Sequence, residues 1–583
     1  MTSKKLRSEF LKFFEKKGHK IVPSSSLLPT DPSVLFTTAG MQQFKEYFLE
    51  KESPYGQKAA SCQKCFRTSD IDEVGDKDHL TFLEMLGNFS FGSYFKKEAI
   101  ELALELLTKN YKLPIDRLWF TYFKGDKEVP EDKESKKIWQ SLKVPASRIH
   151  GFSREDNFWG PTGKAGPCGP TTEIHYDLFG QSCKKGSQCM PNCSCGRFLE
   201  LWNLVFNEYY QDENDKLTLL KQKGVDTGMG LERLVMVCQK TSSVFETDLF
   251  SPLLQAIEKF SSEPYQQNPK PYRIIADHIK GAVFLAAGGI LPSNIEQGYV
   301  LRRILRRMMR FGRLLNFPSN FLIPLAQQVI TIYQDIYPEV RSQEADILTV
   351  IQKEEERFTK TLSRGLKEFE KLARLGDIDG KDAFHLFDTY GFPLELTEEL
   401  AQERGLKVDK LGFEQAFQRH KDVSRAGAEK KFGGVGKEAG YEAARLHTAT
   451  HLLHAALREV LGEHVKQMGS DITSSRLRFD FSHPEKMKEA EIKKVEKIVN
   501  QKIKENLEIK KTEMKYQEAI KSGALAFFRE KYPENVTVYS INKFSKEICA
   551  GPHIKRTAEL GRFKIVKEES SGAGIRRIRA ILE

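Results

Sequence analysis

Residues 4–17 alternate polar and apolar positions with a helical period, and Val22-Pro23-Ser24-Ser25-Ser26 followed by Val34-Leu35-Phe36 reads as a loop entering a strand. AGMQQFKEYFLE (39–50) returns to the helical period. The nearly continuous apolar run HLTFLEMLGNFSF (79–91), with residues 62–67 before it, predicts two hairpin arms of a buried antiparallel sheet, Arg67 lying on a central strand. A buried guanidinium needs a counter-charge or a phosphate, and either a salt bridge to Glu84 or a bound phosphate would serve. From about 242 to 420 the pattern is helical almost throughout. At its centre, VLRRILRRMMRFGRLL (300–315) sets arginines 302, 303, 306, 307, 310 and 313 on one broad face and Leu301, Ile304, Leu305 and Met308 on the other. That stripe suits a nucleic-acid phosphate backbone, a membrane surface, or a helix laced by salt bridges to nearby acids. Residues 424–440 are glycine-rich and aperiodic, the signature of a linker. Beyond them HTATHLLHAALREVLG is a strong helix.

Composition narrows the class. At 583 residues the chain has room for three to four domains of roughly 100–200 residues each. Its 91 Lys and Arg against 80 acids leave a net charge of +11, which suits a polyanionic partner. The longest apolar candidate for a membrane span, 282–291, is short and interrupted by glycines, well under the roughly 18 residues a span needs. The N-terminus carries no apolar signal segment, so a cytoplasmic protein with no membrane association is expected. Nine cysteines, odd in number and bunched, favour metal ligation over a disulfide framework.

Three stretches carry candidate chemistry. VDTGMGLERL (225–234) sets Asp226 before Gly228 and Gly230, with Glu232 and Arg233 opening a helix or a buried strand. An acid for an ammonium, bare backbone and an arginine for a phosphate suit a site that joins an amine-bearing substrate to a nucleotide; a glycine turn before a core helix would read the same. In DNFWGPTGKAGPCGPTTEIHYD, Phe158 stands where a P-loop needs glycine, and no dinucleotide-binding fingerprint occurs, so phosphates would fall to Arg67 and Arg233. Cys183, Cys189, Cys193 and Cys195, in an insertion at 180–197, could close a structural zinc site or remain four reduced surface thiols. Cys62 and Cys65 lack a second pair at zinc-ribbon distance and read as ordinary core or loop cysteines. His447 and His451 share a helical face, and CAGPH (549–553) adds Cys549 and His553, completing a His3Cys zinc set. Thr448 stands where a metalloprotease would need glutamate, which removes that reading.

Together these residues resemble the alanyl-tRNA synthetases over nearly the whole chain. The resemblance rests on VPSSSLLPTDPSVLFTTAGMQQFK, TFLEMLGNFSFGSYF, LWNLVFNEYY, GVDTGMGLERL, IADHIKGAVFLAAGGILPSN, GYVLRRILRR, FDTYGFPLELT, HTATH and ICAGPH. It implies an α+β multidomain protein: a class II aminoacylation domain at 1–241, an antiparallel sheet flanked by helices; a helical tRNA-recognition domain at 242–423; the linker 424–440; and an α+β zinc-containing editing domain at 441–583. It implies ATP with Mg²⁺, L-alanine and tRNA(Ala) as substrates. Arg67 and Arg233 match phosphate-binding arginines, Asp226 the acid that holds the alanine ammonium, and Met41, Trp159, Asn203, Val205 and Gly228 the amino-acid pocket. Asn294 and Asp388 match residues that read a G·U pair in the acceptor stem, with Arg302, Arg303 and Arg306 expected to grip nearby phosphates. His447, His451, Cys549 and His553 match the ligands of the editing zinc, and Gln467 a residue near the ester. The chain departs from the family in lacking the β-barrel segment and the C-terminal extension, so a monomer is expected, and in CAGPH, where Pro552 removes a backbone donor. A non-catalytic tRNA-binding relative would be expected to lose Arg67, Asp226 or Arg233, and all three are present.

Overall fold

The computed structural model describes residues 1–31, 33–420, 440–473, 475–526, 535–549, 551–572 and 574–583, so all of the expected linker except Gly440 lies outside the described residues. The described residues form two compact units, Met1–Ile378 with His385–Val408, and Asp379–Phe384 with Asp409–Glu583.

The first unit is built on a nine-stranded sheet. Its order runs Lys20–Ile21, Lys58–Phe66, Phe82–Phe91, Leu217–Gly230, Phe198–Gln211, Gly166–Asp177, Leu118–Phe123 and Ile149–Phe152, with Phe158–Trp159 pairing beside Gly166–Asp177. The pairings are antiparallel through the middle and parallel at the two ends. The hairpin expected from residues 62–67 and the apolar run 79–91 is present, with Lys64 opposite Glu84 and Phe66 opposite Phe82. Arg67, however, falls just past the strand's last residue, where its side chain is half-buried and its Nε donates to Thr38 O at 3.3 Å. The Glu84 carboxylate is taken instead by Arg7, at 2.8 and 2.6 Å.

Val34-Leu35-Phe36 is a loop, contrary to the strand expected. Phe36 anchors it by packing on the Phe66 ring, 4.9 Å between centroids, and Phe66 N donates to Thr37 O at 2.8 Å, so core contact replaces strand pairing. Residues Gly40–Leu49 are helical as expected, but wound as a 3₁₀ helix. Cys62 and Cys65 are core residues.

The helical stretch as far as Ile378 belongs to the same unit as the sheet, and its first long helix packs onto it. In the helix Pro269–Ala287, Phe284 stacks on Phe82 at 4.1 Å, and Asp277 accepts from Thr81 N at 2.9 Å and Thr81 Oγ1 at 2.6 Å. The chain position 241/242 therefore marks a change of periodicity inside one compact body.

In the second unit the helix Tyr441–Leu461 and the helix Glu489–Lys504 pack against a four-stranded sheet in the order Gln467–Ile472, Leu477–Ser482, Ile575–Leu582 and Phe563–Gly572. Leu446, Leu453, Phe479, Phe481, Val495, Val499 and Ile578 share its core. A three-stranded sheet, Ile509–Lys515, Asn535–Ile541 and Ser545–Ile548, carries the segment that ends at Cys549. Among the described residues no helix is long and apolar enough to cross a membrane.

Candidate active site and metal clusters

Strand register builds the site in the first unit. Glu173 lies opposite Asn203, which lies opposite Gly228; Thr171 lies opposite Val205, which lies opposite Asp226. Because side chains alternate between the faces of a sheet, these two rows across three strands share one face. They form the floor of a cavity of about 430 Å³, whose lining also includes Arg67, Trp159 and Arg233. The glycines of VDTGMGLERL do not make the turn their spacing allowed: both end the strand Leu217–Gly230, and the helix Leu231–Gln239 follows directly. At Gly228 the strand runs close to Met85, whose Sδ a Cβ would meet at 2.9 Å, so a larger residue would have to push that side chain aside. Met41 is fully buried behind the wall, in an apolar cluster with Phe44, Met85 and Phe89 on which Trp159 packs.

The electrostatics of the cavity are set by burial. Asp226 is 6% exposed, and burial pushes its carboxyl up to about 7. Glu173 is also pushed up to about 7 by burial, against the opposing pull of His175, whose Nε2 lies 3.0 Å from Glu173 Oε2. Asn203 Nδ2 donates to Glu173 Oε1 at 2.9 Å. Arg233 is held loosely, its Nη1 donating to Glu200 O at 3.3 Å and its Nη2 lying 4.0 Å from Asp78. Three buried polar atoms in this cavity, Trp159 Nε1, His175 Nδ1 and Asn203 Oδ1, have no partner among the described residues. Buried polar groups rarely stay unsatisfied, so a cavity lined by two arginines, by acids that include the buried Asp226 and Glu173, and by three unsatisfied polar atoms is built for a polar ligand. Glu173 and His175 were missed from sequence, although the alternation of Thr171, Glu173 and His175 in TTEIHYD marks them as one polar strand face.

The arginine helix Glu296–Leu314 resolves to the salt-bridge alternative. Arg306 Nε donates to Glu354 at 2.8 Å, and Arg302 lies 3.4 Å from the same carboxylate. Arg307 bonds Glu399 at 2.9 Å and Ile71 O at 2.6 Å, and Arg310 pairs with Glu399 and Glu403. Arg302, Arg306, Arg307 and Arg310 are all at most 6% exposed. Arg303 is largely enclosed as well, pairing with Asp72 at 2.7 Å and Glu395 at 3.4 Å. Contrary to the expectation that they grip external phosphates, Arg302, Arg303 and Arg306 direct their guanidinium groups to acids of the chain itself.

Asn294 is exposed just before this helix, whose cap is Ile295, and its side-chain oxygen accepts from Arg302. Asp388 is exposed near the end of the helix Gly380–Tyr390. Three residues on, Gly391 O accepts from Arg306. Arg302 and Arg306, joined through Glu354, thus brace the chain close to both residues.

In the second unit His447, His451, Cys549 and His553 converge, their ligand atoms all within 4.8 Å of one another. His447 Nδ1 is bonded by Pro552 O at 3.2 Å, His553 Nδ1 by Thr448 Oγ1 at 3.1 Å, and His451 Nδ1 lies 3.3 Å from buried Glu547. Each ring's other nitrogen is thereby left for a metal, and His553 Nε2 is buried with no partner among the described residues. Burial holds His447 down at about 4 and lowers His451 and His553 as well, keeping all three in the neutral form that a metal binds. The residues fit a zinc ion. Pro552 contributes through its carbonyl, and Gly551 must lack a side chain because a Cβ would stand 2.2 Å from His447 Cε1. Gln467 begins the strand Gln467–Ile472, its amide donating to Ser470 Oγ at 3.2 Å.

Comparison with known proteins agrees with this arrangement. A model of the class II (A) tRNA synthetases matches residues 5–467, and one of the threonyl and alanyl tRNA synthetase second additional domain matches residues 536–579, which hold Cys549 and His553. The alanine–tRNA ligase of Borreliella afzelii (strain PKo) is 50% identical over 593 residues, covering 100% of both chains. That of Treponema pallidum (strain Nichols) is 48% identical, covering 99% of this chain and 98% of its own. The alanine–tRNA ligase of Dehalococcoides mccartyi (strain ATCC BAA-2266 / KCTC 15142 / 195) is 40% identical over an alignment of 702 residues, covering 100% of this chain and 80% of its own, so it carries segments this chain lacks. A synthetase sheet with an acid and two arginines around one cavity, and relatives this similar from end to end, place the chain in the alanyl-tRNA synthetase family.

Proposed function

We propose that the first unit activates L-alanine with ATP to alanyl-adenylate and transfers the alanyl group to the 3′ end of tRNA(Ala), in the cytoplasm, and that the second unit hydrolyses mischarged Ser-tRNA(Ala) and Gly-tRNA(Ala). The observation that carries the first part is the placement of Asp226, Arg67 and Arg233 on one cavity. Asp226 takes the alanine ammonium, with the free Asn203 Oδ1 as a second acceptor. Val205 and Trp159, backed by Met41, form the wall against which the alanine methyl group sits. Bare backbone at Gly228 lets the substrate approach the strand. Arg67 and Arg233 bind the phosphates of ATP, which arrives as its Mg²⁺ complex. The alanine carboxylate attacks the α-phosphate and pyrophosphate leaves; the terminal ribose hydroxyl of tRNA then attacks the alanyl carbonyl, releasing AMP. No side chain forms a covalent bond, so alignment and charge neutralisation supply the rate.

Asn294 and Asp388 read the G·U pair of the acceptor stem, so Asn294→Ala or Asp388→Ala lowers charging sharply and leaves pyrophosphate exchange near normal. Editing is needed because a pocket sized for a methyl excludes glycine and serine weakly, a single small group being worth only about 1–3 kcal/mol. Zn²⁺ held by His447, His451, Cys549 and His553 would supply a Lewis-acid centre that fixes the mischarged 3′ end. Thr448 and Glu547 hold the ligand rings in place, and Gln467 approaches the ester. ATP–pyrophosphate exchange measured across the amino acids, with and without tRNA, tests the reading: alanine gives the strongest exchange and needs no tRNA. Stronger exchange with another amino acid, or none at all, overturns it.

A further inference from the structure

We infer that Cys183, Cys189, Cys193 and Cys195 form a second, purely structural zinc site whose loop makes one wall of the aminoacylation cavity. The four sulfurs lie within 4.8 Å of one another, with Cys183 Sγ 4.0 Å from Cys193 Sγ and Cys189 Sγ 3.7 Å from Cys195 Sγ. Zinc–thiolate bonds of about 2.3 Å give a tetrahedron whose edges are about 3.8 Å. The observed spacings match those edges, and they are far from the roughly 2.05 Å of a disulfide. Two N–H groups already point at the sulfurs: Lys185 N donates to Cys183 Sγ at 3.5 Å and Arg197 Nη1 to Cys189 Sγ at 3.6 Å. Arg197 is itself fixed by Asp177 and by the ring of Phe198, 4.6 Å away. Between the strands Gly166–Asp177 and Phe198–Gln211 the insertion holds one short turn, Gly186–Gln188, so a metal is the natural source of its order.

The loop's place gives the site its consequence. Pro191 and Asn192, between the second and third cysteines, line the cavity together with Arg67, Asp226 and Arg233. Just past the fourth cysteine, Gly196 O accepts from Lys77 Nζ at 2.9 Å, tying the loop to the segment that presents Asp78 to Arg233. Four sulfur ligands leave no open position, so this zinc shapes the cavity and performs no chemistry.

Metal analysis of the full chain and of two double variants tests the site, which stands independently of the aminoacylation reading; the wall role rests on that reading. The wild type holds two zinc ions per chain, Cys183→Ser/Cys193→Ser holds one, and His451→Ala/Cys549→Ala also holds one. Cobalt loaded into the His451→Ala/Cys549→Ala protein shows the strong sulfur-to-metal charge-transfer absorption of a four-thiolate tetrahedral site. In pyrophosphate exchange, Cys183→Ser/Cys193→Ser raises the KM for ATP or alanine several-fold while Ser-tRNA(Ala) hydrolysis is unchanged. The site is overturned by an unchanged zinc content in that variant, by a zinc-free His451→Ala/Cys549→Ala protein, or by disulfides among the four cysteines in mass spectrometry. Loss of one zinc with unchanged KM values overturns the wall role alone. Correct zinc counts with no exchange in the wild type indict the aminoacylation reading instead. If the cysteine variant fails to fold, the metal content and cobalt spectrum of the histidine variant decide.

Discussion

Asp226 shows how a single buried carboxylate can set a pH profile. Its carboxyl lies at about 7 in the free protein, so below that pH it is mostly protonated and offers an ammonium no charge. The kcat/KM for alanine in pyrophosphate exchange is therefore expected to rise as pH increases through about 7 and to level off above it. In Asp226→Asn this step disappears and the value stays low throughout; a retained step would assign it to another group, Glu173 first. Arg67 has the complementary character. Among the described residues its side chain makes a single hydrogen bond, to Thr38 O at 3.3 Å, so its removal disturbs little of the fold. Arg67→Ala should lower exchange by on the order of 10²–10³-fold, the scale of losing one charge-stabilising donor, with the melting temperature unchanged.

The arginine helix Glu296–Leu314 and the helix Glu344–Ala373 belong together as elements through Glu354, which holds both Arg302 and Arg306. Glu354→Ala leaves two buried cations without that partner, at a cost of about 3–5 kcal/mol of stability. Urea unfolding of the variant should show the loss, and an unchanged midpoint would mean that the pairs are dispensable. The same helix shows where sequence reasoning stops. Its period and its two faces were legible in the order of residues, but Glu354, Glu399 and Glu403 lie some 50 to 100 positions away, and pairing over such separations leaves no local signal. Strand pairing was easier, because the apolar run at 79–91 announces itself. Val34-Leu35-Phe36 went the other way: three β-prone residues became a loop because burial of one aromatic ring outweighed local preference. Glu173 and His175 were hidden because acids and histidines in a polar, glycine-rich stretch look like surface residues until strand register turns them inward.

At the scale of the whole molecule, two chemistries are housed in two compact units, with the aminoacylation cavity lined wholly from the first and the His3Cys cluster wholly from the second. His451→Ala/Cys549→Ala is accordingly expected to keep alanine-dependent exchange at the wild-type level while Ser-tRNA(Ala) persists in a deacylation assay. Loss of exchange in that variant would show that the units are coupled. Motif content marked the residues of the cavity and of the His3Cys cluster in the sequence, whereas the packing of helices onto the sheet did not show, because contacts such as Phe82 with Phe284 and Thr81 with Asp277 join positions some 200 residues apart.

The enclosed ion pairs of the arginine helix bear finally on ionic strength. Mobile counterions screen exposed charges over about 10 Å at 0.1 M salt but reach sequestered pairs poorly. Added salt should thus loosen the grip on tRNA, which must depend on cations at the surface, well before it weakens the scaffold beneath. In a salt titration, then, affinity and folding would part company, and the basic stripe that looks most like an RNA ligand would prove to be the frame.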